Sequence, residues 1–432
     1  MMKTTLISLL LLFGTSGFLG AQQTLTLDLA GARKTALEYN KTIANADLAT
    51  LKASAAVREA IANGLPQLNA AVDYSNALGA KISIRFAEGM PPSEIDIKPQ
   101  SNFNLNLTQL IFSGNYIVGV QTAKLYQSMA GISKEKSELD IIAQVTDAYQ
   151  LVLISEELLR LLEQNQANLE GLYEKTAALE TFGIIEKTDV DQLSVQVNTL
   201  KNAVKSSERQ LEMATNMLRL LLGVPVDTQL ELTDRLDQML SEAEALPLAE
   251  SFRVEDQVDF RLLNQQELVS RKMIDMQRAN ALPTISGYYR YTYKLLKPDF
   301  DMTPANMVGL QMNIPIFSSG VRMAQVKQAR IDLETTQNNK SLLSDQLKIQ
   351  EKQLRFNYNN ALETYLNQKN NVEVSRRVYA SLKLKYEQGI ISGLDLITAD
   401  NNYLKAETDY ISAMMQVLQS GVQLQKLYGK LD

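Results

Sequence analysis

The sequence predicts an α+β membrane protein with an internal two-fold repeat, and three observations carry that prediction. Residues recur at one offset: Gly114 with Gly320, Gly183-Ile184-Ile185 with Gly389-Ile390-Ile391, Asp189 with Asp395, and Leu221 and Gly223 with Leu427 and Gly429, each pair 206 positions apart. Loops absorb insertions and packed helices do not, so an offset held from Gly114 to Gly223 predicts two long helical elements locked in one register. Gly114 to Gly183 is 69 steps, which as helix is roughly 100 Å, the length of a conduit across a wide aqueous compartment. The third observation is two pairs of alternating apolar and polar segments, each about as long as a tilted bilayer-crossing strand.

In chain order, Lys3 supplies a charge, residues 6–13 an apolar core, and Leu19-Gly20-Ala21 a polar-flanked end before Gln22-Gln23. This predicts a secretory signal peptide over residues 1–21, with Leu19 larger than the small residue usual at that place. Residues 27–63 read as a helix rich in Ala, Lys and Glu, stopped by Gly64-Leu65-Pro66, glycine past the end and proline blocking continuation. Leu68, Ala70, Val72 and Tyr74 then alternate with Asn69, Asp73 and Ser75, a strand with one greasy face. Residues 79–99, with Pro91, Pro92 and Pro99, read as a loop, and Phe103, Leu105 and Leu107 alternate with Asn102, Asn104 and Asn106 in a second strand ended by Ser113-Gly114.

From about Asn115 a helical stripe runs through Ile141, Val145, Ala148, Val152, Ser155, Leu159, Leu162, Gln166, Leu169 and Tyr173. Its counterpart is Leu347, Glu351, Leu354, Tyr358, Ala361, Tyr365, Gln368, Val372, Ser375 and Tyr379. Both keep coiled-coil spacing and read as packing positions. A return helix spans about 188–222 and stops at Gly223-Val224-Pro225; residues 224–255 are mixed, with a short extended Leu230-Glu231-Leu232. A helix over about 257–280 leads to Leu282-Pro283, a strand with Ile285, Tyr289, Tyr291 and Tyr293 on one face, a turn with Pro298 and Pro304, and a strand in which Val308, Leu310, Met312, Ile314 and Ile316 alternate with Gly309, Gln311 and Asn313. The tyrosines read either as an interfacial girdle or as plain strand formers.

Composition excludes much. The chain has no cysteine, histidine or tryptophan, so disulfides, thiolate chemistry, Ser-His-Asp triads and the usual zinc sites cannot be built. No cofactor, metal or catalytic residue is expected. The formal charge is −6 with Lys and Arg scattered, which argues against nucleic acid as a partner. No segment after the N-terminus offers ~18 continuous apolar residues, so any integral membrane contact must be a β-barrel. Four strands cannot close one, because bacterial barrels start at eight and open edges are not tolerated in lipid; the chain must oligomerise.

Leu25-Thr26-Leu27, Ala36-Leu37-Glu38-Tyr39-Asn40, Gly64-Leu65-Pro66-Gln67-Leu68, Val308-Gly309-Leu310-Gln311-Met312-Asn313-Ile314-Pro315-Ile316-Phe317 and Gly320 before Ala324-Gln325-Val326 together resemble the TolC-like outer membrane efflux protein family. The resemblance covers essentially the whole chain after residue 21. It implies a homotrimer whose four strands per chain close one twelve-stranded outer-membrane β-barrel, continued by a periplasmic α-helical coiled-coil tunnel. On that scheme residues 22–223 are the first structural repeat, 224–255 an equatorial segment and 256–432 the second repeat. Implied partners are outer-membrane lipid, a periplasmic adaptor protein and an inner-membrane transporter, which supplies the energy for a passive passage.

The resemblance also implies site residues. Gly183, Ile184 and Ile185, with Gly389, Ile390 and Ile391, match tips that contact the adaptor; as sequence alone, both glycines read equally as helix C-caps. Asp395 matches a constriction that in a trimer would form a ring of three carboxylates, with Thr398 where a second ring would stand. Tyr386 and Asp189 match residues that link neighbouring coiled coils and hold the mouth shut, and Ile391 stands where the family often has arginine. Both aspartates also suit the first turn of a return helix without any pore role. The implied function is the exit duct of a tripartite efflux pump for small toxic molecules, with type I protein secretion as the alternative within the family and a pore-less periplasmic scaffold as the alternative outside it.

Overall fold

The computed structural model describes residues 24–85, 89, 91–245, 252–297 and 303–431; the signal-peptide segment and Pro298 lie outside them. The chain divides into two units: residues 1–40, 144–246 and 361–419, and residues 41–143, 247–360 and 420–432.

In the first unit, β1 (Thr24–Leu27) pairs in parallel with β6 (Gln229–Leu232), 205 positions away and beyond the reach of local pattern. Helix α1 (Leu29–Tyr39) follows at once. Asp28 accepts from Gly31 N at 2.7 Å and Asp234 from Leu29 N at 2.7 Å, so two carboxylates serve its otherwise orphaned first-turn donors. The single helix expected over 27–63 is therefore two helices, α1 and a second one from Lys41 to Ala62, with Leu27 the last residue of β1. The break is Asn40, whose backbone is extended and whose Nδ2 donates to Leu221 O at 2.7 Å. The unit's core lies among residues 144–181 of α3 (Gly114–Thr181), α4 (Lys187–Leu222), residues 361–387 of α7 (Val321–Glu387) and residues 393–419 of α8 (Gly393–Tyr428). Leu162, Leu169, Leu172, Leu193, Val197 and Leu200 meet there. A short helix α5 (Leu236–Glu244) sits in the stretch that read as mixed and buries Met239, Leu240 and Ala243.

In the second unit, α2 (Lys41–Ala62) leads into a four-stranded antiparallel sheet of order β2-β5-β7-β8, with β2 Gln67–Ser75, β5 Gln100–Phe112, β7 Thr284–Leu296 and β8 Asn306–Asn313. The expected loop over 79–99 holds a hairpin of its own, β3 (Lys81–Ile84) paired with β4 (Ser93–Asp96). Gly64 ends α2 for a reason other than chirality: its φ is not positive, and a Cβ there would sit 2.3 Å from the Tyr116 ring. Helix α6 (Val258–Ala279) carries Glu267, which accepts from Arg271 at 2.7 Å and Lys340 at 2.9 Å. These partners, Arg271 first, hold its carboxyl down at about 2. Near the C-terminus Arg355 donates to Tyr428 at 2.6 Å, and Lys426 pairs with Asp140 at 2.6 Å.

Every residue of the two expected stripes is buried or half-buried along α3 and α7. The period-3.5 reading therefore holds in the packing as well as in the pattern.

Candidate functional site

The turns joining α3 to α4 and α7 to α8 have the same backbone. Gly183 N donates to Glu180 O at 2.8 Å and Ile184 N to Leu179 O at 3.1 Å; Gly389 N donates to Tyr386 O at 2.8 Å and Ile390 N to Lys385 O at 2.9 Å. Each pair is a 5→2 and a 6→1 bond closing on a left-handed glycine, φ +70° at both positions, the arrangement that satisfies a helix's last carbonyls. So both glycines are helix caps. They also project Phe182 (79% exposed), Ile184 (68%) and Ile390 (64%) into open solvent, while Ile185 and Ile391 are half-buried.

Past the turns the two hairpins differ. At the second, Ser392 Oγ donates to Asp395 Oδ2 at 2.7 Å, and Ser392 N donates to the same oxygen at 3.2 Å. Asp395 N in turn donates to Ser392 Oγ at 3.2 Å. This reciprocal cap starts α8, and Asp395 remains exposed. Its side chain also lines an open groove of about 420 Å³ with Val374, Val378, Leu382, Ile391 and Thr398. At the first hairpin Glu186 makes no side-chain cap bond. Asp189, half-buried, instead faces the other hairpin: a Cβ added at the buried Gly393 would lie 3.0 Å from Asp189 Oδ1. Gly393, unremarked in the sequence, is therefore where the two tips abut.

Tyr386 and Asp189 are not hydrogen-bonded to each other among the described residues. The Tyr386 hydroxyl lies 3.2 Å from Thr176 Oγ1. Thr176 spends its only hydroxyl hydrogen on Leu172 O at 2.9 Å, so Tyr386 donates and Thr176 accepts. Within one chain the tyrosine thus ties α7 to α3.

A layer that the sequence reading passed over as packing lies just above. Tyr379 stacks on Tyr403 and Tyr365 on Tyr410, each pair with centroids 5.6 Å apart. Asp400 is 6% exposed, and Glu407 accepts from Asn165 Nδ2 at 3.1 Å. Burial raises the Asp400 carboxyl, with the Tyr379 hydroxyl bond working against it, and burial likewise raises Glu407. Tyr358, Tyr365, Tyr379 and Tyr386 recur at multiples of seven, and that heptad of hydroxyls was the signal. A coiled-coil seam of tyrosines needs acceptors inside it.

The sheet sorts most of its residues by polarity, with Asn306 on the apolar side beside Tyr289 and Met307 on the polar side beside Arg290. Register places Leu68, Ala70, Val72, Phe103, Leu105, Leu107, Tyr289, Tyr291, Tyr293, Val308 and Leu310 on one face. Asn69, Asp73, Asn102, Asn104, Asn106, Arg290, Thr292 and Lys294 occupy the other. The polar face is cross-linked. Asp73 accepts from Asn102 at 2.9 Å and Asn104 at 2.6 Å, Thr292 Oγ1 donates to Asn104 at 2.9 Å, and Arg290 Nε donates to Asn106 at 2.9 Å. Strands β2 and β8 form the two edges.

Comparison with known proteins agrees with this architecture. The family model described as outer membrane efflux protein matches residues 257–430. The toluene efflux pump outer membrane protein TtgC of Pseudomonas putida is 24% identical over 307 residues, 69% of this chain and 62% of its own length. The outer membrane protein TolC of Escherichia coli is 23% identical over 424 residues, 93% of this chain and 81% of its own. The crystal structure of the outer membrane protein VceC of Vibrio cholerae superposes with a TM-score of 0.72 at 15% identity, covering 93% of this chain and 96% of that one. The two share one α+β fold.

Proposed function

We propose that this chain is a TolC-like outer membrane efflux protein, a passive exit duct that exports small toxic molecules with a periplasmic adaptor and an inner-membrane transporter. The observation that carries the reading is the four-stranded sheet, mainly apolar on one face, mainly polar on the other, and unpaired along both edges among the described residues. Backbone edges are not left open in lipid. An eight-stranded barrel has an interior just filled by side chains, whereas a face bearing Arg290, Lys294, Asp73 and four asparagines needs water. Three chains make twelve strands, enough for a wet lumen, with β2 of one chain pairing β8 of the next.

In this trimer residues 79–99 form the longer extracellular loop, and residues 22–223 and 256–432 are two repeats flanking the equatorial segment 224–255. The tips at Gly183 and Gly389 meet the adaptor through Ile184 and Ile390. Three copies of Asp395 form the constriction of the periplasmic mouth, and Tyr386 and Asp189 brace its coiled coils. Conductance of the purified protein in a planar bilayer, together with loss of drug resistance on deletion, tests the reading. A protein that neither conducts nor protects overturns it. If deletion leaves drug susceptibility unchanged and traps a protein inside the cell, the duct serves type I secretion instead.

A further inference from the structure

The polar face of the sheet carries three charged side chains among the described residues: Asp73 on β2, and Arg290 and Lys294 on β7. Lys294 shares a cross-strand row with Asp73 through Asn102, so the one carboxylate has a cation in its own row. Arg290 sits two same-face rows further along, past Thr292, opposite Asn106, and donates Nε to that neutral amide at 2.9 Å. Its charge is positioned by the amide and, among the described residues, left uncancelled, because a neutral acceptor fixes a guanidinium without neutralising it. The next aromatic on the face, Tyr288, is neutral and turned onto β8. Tyr288 Oη lies 3.9 Å from Met307 Sδ, and a Cβ on Gly309 would be 2.6 Å from the same oxygen. The ring therefore lies flat across β8, and the glycine makes room for it.

Resting on the proposed trimer, we propose that Arg290 is a selectivity-determining residue of the barrel lumen, making that section attract anions and favouring export of carboxylate- or sulfonate-bearing amphiphiles. Twelve strands about 4.8 Å apart and tilted about 40° give a backbone radius of about 12 Å, so a guanidinium reaching about 6 Å inward sits about 6 Å from the axis. That is inside the Debye length of about 8 Å at physiological salt, so three such charges act on everything that passes. The mouth and the barrel then favour opposite charges, and the narrower one masks the other.

The test removes the mask first. Reversal potentials are measured in planar bilayers under a KCl gradient for the full chain carrying Asp395→Asn, alone and combined with Arg290→Gln, Arg290→Lys or Asn106→Asp. The Asp395→Asn protein is expected to turn from cation- to anion-preferring. Arg290→Gln should then lower the chloride-to-potassium permeability ratio by about two-fold or more, with Arg290→Lys retaining it. Asn106→Asp sets a carboxylate beside the guanidinium without removing it, and should lower the ratio as Arg290→Gln does. Conductance with an unchanged ratio in both Arg290→Gln and Asn106→Asp would overturn the inference and leave the duct standing. Absence of conductance in every protein would overturn the duct and the inference with it.

Discussion

Gly223 and Gly389 have the same backbone in different surroundings, and that difference predicts opposite outcomes for one substitution. Both are left-handed caps, φ +72° and +70°, and both close a 5→2 and a 6→1 bond. Alanine at either position carries the left-handed penalty of about 1–2 kcal/mol, partly offset by about 0.4–1 kcal/mol from a less flexible unfolded chain. At Gly389 nothing lies within 4 Å of the added methyl, so the net loss should be about 1 kcal/mol. At Gly223 the methyl would sit 2.4 Å from Tyr39 O and 3.0 Å from Asn40 N, both backbone atoms at the break between α1 and α2. Forcing them apart costs about 1–3 kcal/mol in overpacking. It also strains the buried bond from Asn40 Nδ2 to Leu221 O, whose loss costs about 1–3 kcal/mol. Gly223→Ala should therefore lose about 3–6 kcal/mol, a gap of several kcal/mol from its twin. Thermal unfolding followed by far-ultraviolet circular dichroism in detergent, with the amount recovered in outer membranes, reads the difference. Equal losses for the two variants would refute the argument that the Tyr39–Asn40 contact, and not the cap, makes Gly223 irreplaceable.

Three further outcomes are expected. Ser392→Ala removes the helix cap and should cost about 1 kcal/mol of stability with ion selectivity kept, whereas Asp395→Asn should change selectivity; bilayer reversal potentials beside melting curves separate the two. Ile184→Asp with Ile390→Asp should leave the melting temperature within error, because both side chains are already exposed, yet abolish drug efflux in cells; retained efflux would remove these tips from the docking surface. For pH, burial raises Asp400 and Glu407 in the fold, so their contribution is fully present below their unfolded values and is lost as pH rises through the folded ones. Glu267, held at about 2, contributes above its unfolded value and loses that only as pH falls toward 2. Above the ordinary carboxylate range the buried pair should therefore dominate among these three groups: the melting temperature should fall as pH rises, and Asp400→Asn should flatten the slope. An unchanged slope in that variant would show that the tyrosine layer is not where protons are taken up.

What the sequence revealed follows the range of the forces involved. The stripes of α3 and α7 were legible because a helix reports its buried face every three or four residues. The four long strands were legible because one side of each meets a different environment from the other. The pairing of β1 with β6 was not, since four residues of mild alternation, Thr24–Leu27, carry no address for a partner 205 positions away. The break at Asn40 was hidden because its cause, a carbonyl on Leu221, lies in another helix. At the tips, the helix-cap reading of both glycines was legible, but sequence could not show that Tyr386 bonds to Thr176, a pairing set by how α3 and α7 pack. Gly393 escaped notice because its requirement is space beside Asp189 and leaves no mark in φ.

The central claim is that β2 and β8 pair only between copies of this chain. Two strands separate them in the sheet, so their backbones lie about 14 Å apart within one chain, beyond the ~7 Å a disulfide can bridge. The chain has no cysteine of its own, so engineered pairs report without background. Gln311→Cys combined in turn with each residue of β2 should, at one register, give a ladder ending at three chains on a non-reducing gel of outer membranes, collapsing to one chain on reduction. Monomer at every register would contradict the closed trimeric barrel and the duct built on it.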